Sequence, residues 1–293
     1  MVAGAMKLSC LPVSLYPDII GGRMSIADWA RMGSELGLDA IDLSILFFSE
    51  YTLSTARDLR RQVEAAGMRM AMFATYTDFT HPDAEYRHRE QEFAIRSIEL
   101  ASELGAQLIR VTAGQAYPET SHQDGIAWAV EGLQHFARVA HRFGVIPVYE
   151  NHTKPRVWKY TDFSQSPETF LEVVAGTADA GLGINFDTAN ATSFSNDPLH
   201  LLDQVLERVI SLHASDTSKR GELQHTQLGS GLTPFALIFD RLIQSCWDGW
   251  ICIEEGSNQG RTGIDAAVRF IRQSWNEAEE RFKLKSRNAI SLD

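Results

Sequence analysis

Short apolar runs rich in β-branched residues recur along the chain, alternating with longer stretches in which apolar residues return every three or four positions. The first pattern predicts strands and the second amphipathic helices. Strands are expected at KLSCLPVS (7–14), AIDLS (40–44), RMAMFATY (69–76), QLIRVTA (107–113), VIPVYEN (145–151), LGINFDT (182–188), VISLHAS (209–215) and WICIEE (250–255). Helical periodicity is clear in MSIADWARMGSELG, EYRHREQEFAIRSIELASELG, QDGIAWAVEGLQHFARVAHRFG and TPFALIFDRLIQSCW. Gly37, Gly67, Gly105 and Gly144 stand just before strands, where a left-handed residue would end the preceding helix. Eight βα repeats over about 250 residues predict a (β/α)8 TIM barrel, with a doubly wound open sheet as the alternative. No linker or change in composition divides the chain, so residues 1–293 are expected to form one domain. Its barrel would cover about 7–275, followed by a C-terminal helix and charged tail over 276–293.

Composition narrows the function classes. A chain of 293 residues, 44% apolar and 22% charged, can bury a large core. Thirty-eight acidic against 27 basic residues leave a formal charge of −11, which opposes general attraction to nucleic acid or an anionic membrane. Cys10, Cys246 and Cys252 are an odd number with no C-x-x-C pair, which suggests neither a disulfide framework nor a thiolate zinc site. The opening MVAGAMKLSCLPVSLYPD lacks the pattern of a secretory leader, and no later segment offers about 18 uninterrupted apolar residues. A cytoplasmic protein without a membrane span is expected.

The last four strand candidates finish on ligand-type residues: Glu150, Asp187, His213 and Glu254. A closed barrel would bring them together. An isolated acid at a strand end is more often a helix N-cap or a loop ion pair; four in succession change that balance. Three carboxylates at the rim of a low-dielectric core would repel one another unless a cation lay between them. Three carboxylates and one imidazole suit one divalent ion, Mn2+ first, then Mg2+, with Co2+ and Zn2+ also compatible.

The segments VYENH, NFDTAN, SLHASD with QLGSG, and DGWICIEE resemble the strand-end motifs of the sugar isomerase/epimerase superfamily of xylose-isomerase-like TIM barrels. The resemblance covers most of the chain and is most specific over residues 145–255. In the ketose 3-epimerase branch the matching residues bind one divalent metal, and the two glutamates act as acid and base. The resemblance therefore implies Glu150, Asp187, His213 and Glu254 as metal ligands, with Glu150 and Glu254 catalytic. Glu254 rather than Glu255 follows the family pattern, and alternation agrees, because Cys252 and Glu254 share a strand face.

Departures from related patterns narrow the chemistry further. The superfamily's DNA-repair members, resembling endonuclease IV, need a three-zinc cluster. Here Asn190 and Leu223 stand where those enzymes have His and Asp, and neither MFATYT nor IRVTAG offers a strand-end His. His225 does match a repair-type ligand; a substrate contact is the preferred role, with a second metal the alternative. Ketose 3-epimerases carry His and Arg at the positions of Asn190 and Lys219, and Lys cannot supply Arg's bidentate fork.

The expected reaction is sugar isomerisation or epimerisation: proton abstraction next to a carbonyl, through a metal-stabilised cis-enediolate. Elimination by an inosose dehydratase-like lyase is the alternative, and a non-catalytic sugar-binding barrel or a subunit of a larger enzyme is a reading of another class. His152, Asn190, Asp216, Lys219 and His225 are the candidate substrate contacts; a helix cap is as good a reading of Asp216, and a solvated side chain a better one of Lys219. Trp158, Phe79 and Phe48 fall in post-strand loops, where rings could pack on a sugar or merely anchor the loop. The GSG at 229–231 is too weak a signal to imply phosphate binding. The partner is a small sugar or polyol, and proteins that this one resembles are commonly homodimers or homotetramers.

Overall fold

The computed structural model describes residues 6–290, with side chains described as far as residue 287. Eight parallel strands form the barrel wall: β1 Lys7–Leu11, β2 Ile41–Ser44, β3 Met70–Ala74, β4 Leu108–Val111, β5 Ile146–Glu150, β6 Gly183–Asp187, β7 Val209–Ala214 and β8 Trp250–Glu254. Helices separate them: α1 Tyr16–Ile20 and α2 Ile26–Glu35, α3 Leu53–Ala65, α4 Ala84–Leu104, α5 His122–Arg142, α6 Pro167–Gly176, α7 Thr188–Phe194 and α8 Pro198–Val205, α9 Phe235–Gln244 and α10 Gly260–Ile290. The ladder order β1-β8-β7-β6-β5-β4-β3-β2 leaves one seam, between β1 and β2. Leu8 O accepts from Asp39 N at 2.8 Å and Ala40 N at 3.3 Å across that seam. Leu8 N donates to Asp39 Oδ2 at 2.9 Å. The barrel is thus nearly closed, and the chain is a single-domain TIM barrel rather than an open sheet.

The strand–helix alternation follows from local chemistry. Ser25, Thr52, Asp83, Ser121, Ser166 and Asp197 each cap a helix by accepting from a backbone N–H of its first turn. At the other ends Gly37, Gly67, Gly105 and Gly144 take φ between 71° and 75°, the left-handed stop expected of them. Helix α10 runs without a break through residues 275 and 276, because Ile271, Trp275 and Ala278 continue one buried face along it. Among the described residues no helix is long and apolar enough to cross a membrane.

Two packed regions hold the barrel. The larger lies between the strands and the helices, and a smaller one, built on Met72, Leu108, Val148, Trp250 and Cys252, forms a separate apolar cluster. Register places Arg110 beside Val148, Glu150 beside Asn185, Asp187 beside His213, and His213 beside Cys252. Paired residues on parallel strands share a face, so these side chains line one inner surface, as barrel geometry requires. That surface is unusually polar. Ser9 donates to Asp42 Oδ2 at 2.7 Å, Met72 N to Asp42 Oδ1 at 2.9 Å, and Ser211 to Asn185 Oδ1 at 2.7 Å.

Candidate metal centre at the C-terminal rim

Glu150 ends β5, Asp187 ends β6, His213 is the penultimate residue of β7 and Glu254 ends β8. One ligand atom from each lies within 4.8 Å of all the others. His213 Nδ1 is 2.7 Å from Glu150 Oε1 and 3.6 Å from Glu254 Oε2. Glu150, Asp187 and His213 are buried, while the Glu254 side chain keeps 18% of its surface exposed, which leaves the open side of the cluster there. Asp187 also fills the commoner role of a strand-end acid: its Oδ1 accepts from Asn190 N at 2.6 Å and caps α7. Ser215 Oγ donates to the same carboxylate at 3.0 Å. Asn151 clamps the neighbouring backbone, accepting from Asp187 N at 2.8 Å and donating to Asp187 O at 2.9 Å.

The charges do not balance without help. Burial opposes ionisation of Glu150, but the Arg110 guanidinium and the His213 imidazole outweigh it and hold the carboxyl at about 2. Burial likewise opposes ionisation of Glu254, and His213 reverses that to leave it lowered. Asp187 goes the other way: burial, then the negative charges of Glu254 and Glu150, push it well above the usual carboxylate range. Burial disfavours the His213 cation, yet Glu150 prevails and leaves its pKa raised. A cation at the centre would lift the repulsion on Asp187, and the donor set of three carboxylates and an imidazole fits a divalent ion. Glu150 Oε2 and His213 Nε2 are buried without a directed hydrogen-bond partner among the described residues, so the site has unspent polar capacity.

Arg110 was missed by the sequence reading. It is 1% exposed, its Nε lies 3.0 Å from Glu150 Oε2, and its guanidinium sits 4.6 Å from the centre of the Tyr76 ring. The available signal was a charge inside LIRV, an otherwise apolar run. Asp42 inside IDLS carried the same signal. Burial raises its carboxyl to about 6 against the pull of the Ser9 hydroxyl. Tyr16, whose hydroxyl is buried beside Ser44 and near Tyr76, had no sequence signal.

The other sequence-predicted contacts separate into two groups. His152 and Asn190 lie together, lining a cavity of about 10 Å³, roughly one water in size. Asn190 Oδ1 is buried and has no hydrogen-bond partner among the described residues, and His152 Nδ1 is 3.4 Å from Asp162 Oδ2. His225 packs its ring against Gly256, where a Cβ would meet His225 Cγ at 2.7 Å, and its charge helps lower Glu254. It is not among the four clustered residues.

Asp216 and Lys219 do not face the cluster. Asp216 Oδ1 accepts from Thr217 N at 2.9 Å and Thr233 N at 3.0 Å, and Oδ2 from Gly229 N and Gly231 N, both at 2.9 Å. Its four acceptor positions are thereby taken by backbone N–H groups, and it organises the loop before α9. The same contacts explain the GSG turn, whose N–H groups already hold this carboxylate. Lys219 is 56% exposed and pairs with Glu222 at 2.6 Å, so it points to solvent. Phe79 packs on Gly132 inside the wall, and Phe48 lies 5.4 Å from Phe73; both anchor their loops. Trp158 meets His152 edge-on at 5.7 Å and faces a cleft.

Comparison with known proteins agrees with the fold. The family described as xylose isomerase-like TIM barrel matches residues 30–274. An inosose dehydratase of Bacillus licheniformis is 22% identical over 243 residues, covering 77% of this chain and 72% of its own length. An inosose dehydratase of Lactiplantibacillus plantarum is 23% identical over 163 residues, or 49% of this chain, and the match spans only about half, 52%, of that relative. Among solved structures, an L-ribulose 3-epimerase superposes with a TM-score of 0.78 at 15% identity, covering 96% of this chain and 98% of the other; at that identity the likeness concerns the fold alone.

Proposed function

We propose, from the premise that the chain belongs to the xylose isomerase-like TIM-barrel family, that it is a divalent-metal-dependent enzyme moving a proton at the carbon beside the carbonyl of a sugar or polyol. The observation that carries this reading is the convergence of Glu150, Asp187, His213 and Glu254 within 4.8 Å, with glutamates contributed by two different strands. Mn2+ is the ion that the oxygen-rich donor set suits first. When bound, the cation supplies the positive charge that stabilises oxygen as the neighbouring C–H proton leaves. Arg110 keeps Glu150 ionised and therefore able to accept a proton. Glu254, more open, is placed to exchange a proton on the substrate's other side. His152 and Asn190 hold substrate hydroxyls, and His225 stands beside Glu254 at the rim. Return of the proton to the opposite face gives epimerisation, and return to the next carbon gives isomerisation.

Elimination is the second reading. It is favoured by the curated relatives reported above, both inosose dehydratases. The same two glutamates would serve: one takes the proton and the other protonates a departing hydroxyl.

Incubating the Mn2+-loaded protein in D2O with free ketoses, 3-keto sugars and inososes tests both. Deuterium should enter next to the carbonyl, and loss of water by mass would assign elimination. If no substrate acquires deuterium or loses water while the metal stays bound, the proposal falls.

A further inference from the structure

Beside the metal centre, on the β2–β4 side of the rim, lies a cleft of about 230 Å³. Five rings, Tyr51, Tyr76, Tyr86, Phe93 and Trp158, line it together with aliphatic side chains. Two of these rings connect it to the proposed chemistry. Tyr76 covers the guanidinium of Arg110, which holds Glu150, and both Tyr76 and Trp158 lie against His152, at 6.0 and 5.7 Å between ring centres. A substrate whose reacting carbon sits between Glu150 and Glu254 would therefore pass its far end over Tyr76 into this cleft.

The lining also has a sign. Its charged members are Glu90 and Asp78, and it contains no Lys, Arg or His. Asp78 is already spent, accepting from Gln115 N, Gln115 Nε2 and the Tyr117 hydroxyl at 3.1, 2.8 and 2.6 Å. Glu90 forms no ion pair among the described residues, and burial followed by the charge of Asp78 raises its carboxyl to about 7. It takes one backbone hydrogen bond, from Asp78, and its remaining carboxyl positions can meet sugar hydroxyls. Aromatic faces for C–H surfaces, with an acceptor for hydroxyls, make a sugar-binding surface. The space is many times that of the one-water cavity beside Asn190, enough for one hydroxylated six-membered ring.

We infer that the cleft bounded by Tyr51, Tyr76, Tyr86, Phe93, Trp158 and Glu90 is a subsite for a second, uncharged sugar ring, so that the enzyme acts on glycosylated keto sugars and discriminates against sugar phosphates. The inference rests on the proposed function for what happens at the metal centre, but the cleft can be tested apart from it.

Fructose, isomaltulose, maltulose and fructose 6-phosphate share one ketose and differ in what it carries: nothing, a glucosyl ring on O6, a glucosyl ring on O4, or a phosphate. Binding to the Mn2+-loaded protein is followed by tryptophan fluorescence, and deuterium exchange is measured in parallel. At least one glucosyl ketose should bind about tenfold more tightly than fructose, and fructose 6-phosphate about tenfold more weakly. Tyr86→Ala should collapse the ratio between glucosyl ketose and fructose. Glu90→Arg should shift preference toward fructose 6-phosphate, a gain that misfolding cannot produce. Glucosyl ketoses that bind no better than fructose, or a phosphate that binds best to the wild-type protein, would overturn the subsite whether or not exchange occurs. Tight glucosyl binding without exchange would instead overturn the proposed reaction and leave the subsite standing.

Discussion

The two halves of the barrel rim are built for different work. Strands β5 to β8 carry Glu150, Asp187, His213 and Glu254 at or next to their ends, whereas β1 to β4 end on Leu11, Ser44, Ala74 and Val111. The first half offers the candidate ligands and proton carriers. The second offers a buried cation, Arg110, the loop ring Tyr76 and the ring of Tyr86 from the first turn of α4. A reaction centre needs a few groups at fixed separations, which strand ends provide, while selectivity is a matter of shape and sign, which loops can vary at little cost to the barrel.

Four experiments would break or sharpen that contrast. The largest effect belongs to the ligand half: Glu150→Gln and Glu254→Gln should each lower kcat by about 10²–10⁴, the usual worth of a positioned acid or base, with metal content unchanged by elemental analysis. Equal losses from cleft variants in the other half would erase the distinction.

Next is Arg110→Met, which removes the buried partner of Glu150. Urea unfolding of the metal-free protein should show a loss of about 3–5 kcal/mol, the cost of stranding one buried charge. Saturating Mn2+ should shrink that loss, because the cation takes over the compensation; an identical loss with and without metal would separate Arg110 from the cluster.

Metal itself should stabilise the wild-type chain by about 2.7 kcal/mol at a hundredfold excess over Kd. Its affinity should rise with pH. His213 and Asp187 both have raised pKa values, so each holds its proton longer than usual and must release it to become a ligand. Competition titrations at pH 6 and pH 8 check the sign, with tighter binding expected at about pH 8.

The smallest effects lie in the loop before α9. Asp216→Asn should cost about 1–3 kcal/mol, since an amide N–H₂ would face backbone donors that now share a carboxylate. Lys219→Ala should leave the unfolding midpoint where it was, because its pair with Glu222 is exposed. The reverse ranking would restore Lys219 to the site and remove Asp216 from the loop.

Alternation of runs and the glycine stops were legible because each is a local signal, decided within one turn or one strand. The four clustered rim residues were legible for a related reason: each ends an apolar run, so its oddity shows in sequence. Arg110 and Asp42 broke the apolar pattern too, but a charge inside a strand does not say which face it takes or what meets it there. Asp216 was ambiguous until the glycine N–H groups around it were seen. The sequence alone thus determined the repeat, the barrel and the short set of residues able to bind a cation. Tertiary structure decided which of them converge, which carboxylate is held ionised, and where aromatic rings from three loops and α4 enclose a cleft. Those outcomes depend on distances between residues far apart along the chain, and electrostatic and packing energies follow distance through space rather than position in sequence.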